Sequence, residues 1–143
     1  MTHKDAGHYA DKHGPGVSPD AGVAAAVREK AVAGELACAE AEGIGQAMGV
    51  SLAEIGRTID LLELRIARCQ LGLFGYSDGK TVRPATVVAP DLEAAIRGRL
   101  AGGRLPCKDA WQIAAERKIP RMAVSTACEA LQIRVKPCQL GAF

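Results

Sequence analysis

Apolar residues recur three and four positions apart through Ala41, Ile44, Ala47 and Met48, and again through Ile55, Ile59 and Leu62. That spacing draws one apolar stripe along each of two short helices. Gly49 ends the first, and Ser51 with Glu54 three residues on is the signature of a capping box opening the second. Ahead of them the Ala-rich run from Ala21 to Val32 predicts another helix, because alanine is the best helix former, and Gly34 stops it. After Leu62 the chain Arg65-Ile66-Ala67-Arg68-Cys69 reads as extended.

The same order of elements then returns. Cys69-Gln70-Leu71-Gly72-Leu73-Phe74 reappears as Cys138-Gln139-Leu140-Gly141-Ala142-Phe143, and the shift of 69 (138 − 69) also superposes Leu36 on Leu105, Cys38 on Cys107, Ala41 on Ala110, Ile44 on Ile113, Leu62 on Leu131 and Arg65 on Arg134 without a gap. A fixed offset of this kind marks one structural unit used twice. In the second copy Pro90 to Ala101 is helical, with Asp91 and Glu93 complementing the dipole of its first turn, and Gly102-Gly103 stop it. A helix from Pro106 to Lys118 buries Ala110, Ile113 and Ala114, and one after Pro120 buries Val124, Cys128 and Leu131. Arg134-Val135-Lys136-Pro137-Cys138 is extended, and Pro137 confines it to an edge.

The expected organisation is a polar flexible arm over residues 1–20, a first repeat over 21–74, a linker over 75–89 opened by the turn signal Tyr76-Ser77-Asp78-Gly79-Lys80, and a second repeat over 90–143. Each repeat of about 50 residues would be marginal alone, so the two are expected to share a core. Pairing of the two extended segments about a pseudo-two-fold axis is one way to fuse them. Gly72 and Gly141 should turn with positive φ, so that Leu71 with Phe74 and Leu140 with Phe143 fold back to cap each repeat's own core. His3, His8 and His13, spaced by five, do not share a helical face.

Composition sharpens this in two respects. Aromatic residues make up only 3% of the chain, which disfavours a single-stranded nucleic-acid platform built on base stacking. Net charge is +2, but residues 21–74 carry five Lys/Arg against seven Asp/Glu (−2) while residues 90–143 carry nine against five (+4). A phosphate-contacting face is therefore expected on the second copy. No run of about 18 apolar residues occurs and the N-terminus lacks an apolar segment, so neither a membrane span nor a signal peptide is expected, and the localisation expected is cytoplasmic.

Ile44-Gly45-Gln46-Ala47-Met48-Gly49-Val50-Ser51-Leu52-Ala53-Glu54-Ile55-Gly56-Arg57 resembles the helix-turn-helix of bacterial DNA-binding regulators. Gly45 fits the small residue of that family's first helix, Gly49 the turn glycine and Ile55 the aliphatic residue that locks the second helix. The second copy offers Ala114, Lys118 and Val124 there. The resemblance implies a mainly α fold of two pseudo-symmetric three-helix helix-turn-helix units, each followed by a short β-strand. It also implies a small transcriptional regulator binding double-stranded DNA as a homodimer. The second helix of each motif would face the major groove, offering Glu54, Arg57 and Thr58 in the first copy and Arg121, Ala123, Thr126 and Ala127 in the basic one, with Arg117, Lys118, Arg121, Arg134 and Lys136 on flanking phosphates.

Four of the five cysteines fall at repeat-equivalent places: Cys38 and Cys107 at a helix start, where the dipole favours thiolate, and Cys69 and Cys138 in the extended segments. Such thiols either pack as small hydrophobes or serve as soft metal ligands or redox groups. The alternative to DNA binding is accordingly a protein-interaction or metal/redox sensor module built on Cys38, Cys69, Cys107 and Cys138. Cys128, opposite Ile59, belongs to the core. No cofactor motif or catalytic constellation is present, and an enzyme is not expected.

Overall fold

Asp20 opens the first helix: its carboxylate accepts the Val23 amide at 3.0 Å, and the chain turns helical over α1, Ala21–Lys30. Ser51 does the same for α3, Leu52–Leu61, accepting the Glu54 amide at 3.1 Å. The return half of the capping box is absent, since the Glu54 carboxylate is drawn to Arg57 at 2.9 and 3.1 Å. The structure, a computed structural model, describes residues 8–143. Among these residues there are six α-helices and one two-stranded parallel sheet: β1 is Glu35–Ala37, α2 Cys38–Met48, β2 Arg65–Ala67, α4 Pro90–Arg97, α5 Cys107–Arg117 and α6 Arg121–Leu131. The protein is mainly helical.

The chain folds as two compact units, Met1–Cys69 with Gln139–Phe143, and Gln70–Cys138. The segment that closes each sequence repeat is thus built into the unit formed by the other repeat's helices. This differs from the expected return of Leu71 and Leu140 onto their own repeats.

In the first unit α1, α2 and α3 surround Val27, Ala41, Ile55 and Ile59, all fully buried. Ala47 and Met48, expected on the buried stripe of α2, face outward instead. Gly45 is buried where α2 meets the following turn, and a Cβ there would stand 2.9 Å from the Val50 carbonyl oxygen. Gly49 caps α2 in the left-handed conformation (φ 66°).

β1 was not expected, because three residues are too few to reveal a period. It pairs in parallel with β2, placing Glu35 opposite Arg65, Leu36 opposite Ile66 and Ala37 opposite Ala67. The expected pairing of 65–69 with 134–138 does not form: α2 and α3 make the long crossover a parallel pair requires, and they return β2 beside the strand that preceded them.

Residues 8–13 do not form a solvated arm. Tyr9–His13 is a 3-10 helix with Tyr9 buried, and the Glu63 carboxylate accepts the amides of Tyr9 (3.0 Å) and Ala10 (2.7 Å). Buried Asp60 receives Lys12 at 3.1 Å and His13 at 2.8 Å. Polar residues there are spent on locking the segment to α3, which hydrophobicity alone cannot reveal. His3 lies outside the described residues.

The second unit follows the same local plan. Lys118 caps α5 in the left-handed conformation (φ 56°), 69 residues after Gly49. Ile96, Leu105, Ile113 and Val124 are buried, and Cys128 with them. The stretch 75–89 is mostly exposed but tethered near its middle: Thr81 and Val82 donate their amides to the Gly72 carbonyl, Ala85 donates to that of Thr126, and Val82 is buried. Leu71 is fully buried, and the Ser125 hydroxyl donates to its carbonyl at 2.6 Å. In the first unit the equivalent place near the Leu140 carbonyl is held by Gly56, where a Cβ would lie 2.0 Å from that oxygen. Leu71 and Leu140 are the plugs, while Phe74 and Phe143 are only half-buried.

Candidate nucleic-acid interface

Where the first unit has a three-residue ladder, the second has a single parallel bridge between Leu105 and Val135. The Leu105 amide donates to the Arg134 carbonyl, and the Lys136 amide to that of Leu105, both at 2.9 Å. Side chains alternate across extended backbone, so burial of Leu105 and Val135 turns Arg104, Arg134 and Lys136 outward. The register sets Arg104 beside Arg134, at the interstrand spacing of about 4.8 Å. Lys108, the second residue of α5, is exposed at the same end. None of these four cations takes part in an ion pair among the described residues. The equivalent positions in the first unit are Glu35, Ala39, Arg65 and Ala67, with Glu35 directly opposite Arg65. The same backbone arrangement is thus nearly neutral in one unit and fourfold cationic in the other.

The sequence-derived DNA contacts divide into two groups. Lys118, Arg134 and Lys136 are exposed and outside ion pairs. The others are engaged. Arg117 pairs with Asp91, and its hydrogen bond holds that carboxyl below the usual range. Arg57 is tied to Glu54, which raises its pKa further.

Arg121 stacks over the Trp111 ring at 3.7 Å from its centroid and donates to Gln70 Oε1 at 2.8 Å. Thr126 spends its hydroxyl on the Ala123 carbonyl at 3.0 Å, and Thr58, fully buried, bonds back to the Glu54 carbonyl at 3.0 Å. No residue of α6 is exposed, and in α3 only Ala53 is. The face expected to read base edges is therefore half-buried, and the exposed cations are on the bridge and at the helix ends.

Arg104 and Lys108 were not singled out from the sequence. Their signal is the parallel pairing of 105 with 135, which is invisible until β1 and its counterpart are known.

Cys38, Cys69 and Cys107 are buried and Cys138 is half-buried. Among the described residues no group of three or more His, Cys, Asp and Glu side chains is arranged to hold a metal ion. Burial pushes the Cys128 thiol up to about 11, with Glu129 adding to the shift. No helix is long and apolar enough to cross a membrane. Comparison with protein-family models, with curated proteins and with solved structures gives no match.

Proposed function

We propose that the protein binds double-stranded DNA through the second unit, as a small regulator made of two tandem helix-turn-helix repeats. One observation carries the reading: Arg104, Lys108, Arg134 and Lys136 are exposed together without carboxylate partners, while the equivalent positions of the first unit carry almost no net charge. Cations gathered on one face bind phosphate by releasing condensed counterions. Lys118, at the other end of α5, stands apart from this set. Contact is with the phosphate backbone, which positions a protein on the duplex and carries little sequence information. Base reading by Arg121 and Thr126 finds no support in a helix without an exposed residue. A homodimer would double the number of phosphates engaged.

The test is fluorescence anisotropy of a labelled duplex across a salt series. Four phosphate contacts give a log–log slope of roughly −3.6. Arg134→Glu with Lys136→Glu should lower affinity at least tenfold at low salt and flatten that slope. Binding that is absent, or insensitive to salt, removes the proposal. Size-exclusion chromatography with light scattering checks the dimer.

A further inference from the structure

Cys107 is the first residue of α5, and its amide donates to the Pro137 carbonyl at 3.0 Å. That carbonyl belongs to the peptide bond entering Cys138. With standard backbone lengths, one hydrogen bond from the Cys107 amide to this peptide holds the two Cα atoms within roughly 7 Å. Disulfides span Cα separations of about 4.4–6.8 Å. Cys107 is buried and Cys138 is half-buried, so an oxidant in solvent meets Cys138 first.

The first unit repeats the placement: Cys38 follows Ala37, Cys69 comes two residues after Ala67, and Ala37 and Ala67 are partners in the ladder. There both thiols are buried. Only in the second pair is one member, Cys138, within reach of solvent.

We propose that Cys107 and Cys138 form a reversible disulfide, closed by hydrogen peroxide and opened by dithiols. The Cys138 thiolate attacks one peroxide oxygen and the O–O bond breaks. This leaves a sulfenic acid on Cys138 and hydroxide, which takes a proton and departs as water. The Cys107 thiolate then attacks the Cys138 sulfur, the S–O bond breaks, and a second hydroxide leaves as water on protonation. Two thiols lose two electrons, and one peroxide becomes two waters. The closed bridge would fasten the end of the 134–138 segment to the start of α5, where the second unit has one backbone bridge in place of a ladder. This is independent of DNA binding.

The experiment treats the full chain with hydrogen peroxide under native conditions, followed by intact mass, peptide mapping and reduction with dithiothreitol. The expected result is a loss of about 2 Da per chain from the two departing thiol hydrogens. A Cys107–Cys138 cross-linked peptide should appear, and dithiothreitol should abolish it. Cys128→Ala should leave the product unchanged, and Cys138→Ser should abolish the link. Because mapping of the unaltered chain identifies the bridge, the outcome does not depend on whether a variant folds. Sulfinic acid on Cys138, chains joined through Cys138, or bridging at Cys38 and Cys69 in its place would each overturn the proposal.

Discussion

Ala33 occupies the left-handed region at φ 53°, ahead of Gly34 at 78°, in a two-residue turn that pairs Val32 with Glu35. Positive φ at both central residues is the geometry that favours glycine. The second unit has Gly102 and Gly103 there, at φ 59° and 80°. Relief of left-handed strain outweighs the added freedom of the unfolded chain, so Ala33→Gly should stabilise by roughly 0.5–1 kcal/mol, read by chemical denaturation. Cys128 offers a second test at this scale. Its thiol is pushed from the ordinary 9.0 to about 11 by burial. Below pH 9 the thiol is protonated in both states and contributes no pH dependence. Between 9 and 11 unfolding releases its proton, so stability should fall as pH rises through that window. Cys128→Ala should flatten this slope, whatever it costs at neutral pH. The burial of Cys128 is legible in the sequence through its partner Ile59. The engagement of Arg121 is not, because cation, Trp111 and Gln70 meet only in the folded unit.

At the scale of elements, periodicity and caps place α2, α3, α5 and α6 to within a residue or two, and the left-handed caps fall at Gly49 and Lys118. What the pattern hides is β1 and the 3-10 helix at Tyr9–His13, each too short to show a period and each held by bonds to distant residues. Asp60 is the clearest case: an acid at the inner end of α3 reads as a surface charge, yet it is 2% exposed and receives Lys12 and His13. Asp60→Ala takes the shared acceptor from Lys12 and His13 and removes one of the two holds on the 3-10 helix. Since Lys12 and His13 keep partial access to water, the cost should be about 1–3 kcal/mol, below that of breaking a fully buried pair. Hydrogen exchange at the Tyr9 and Ala10 amides should accelerate along with it. Unchanged exchange there would mean that the Glu63 carboxylate alone holds the segment.

Over the whole molecule the mainly helical fold was legible but the unit that each closing segment joins was not, for a physical reason. Leu71 and Leu140 stand at the same place in a sequence that repeats at an offset of 69, so a segment that packs on its own repeat's helices and one that packs on the other's bury the same side chains against helices of matching pattern. The self-comparison at an offset of 69 cannot distinguish these arrangements; the boundaries of the compact units do, because Gln139–Phe143 joins the first and Gln70 begins the second. At Gly56 the absent side chain admits the Leu140 carbonyl, and at Ser125 a hydroxyl bonds to that of Leu71. Leu140→Ala and Leu71→Ala each open a cavity costing about 2–5 kcal/mol. The location of the damage separates the two arrangements: Leu140→Ala should weaken hydrogen-exchange protection in α3 and spare α6, while Leu71→Ala should do the reverse. Gly56→Ala should act like Leu140→Ala, since the added methyl meets main-chain atoms and drives the last residues off α3. Loss of protection in α6 on changing Leu140 would return each closing segment to its own repeat and reverse this account.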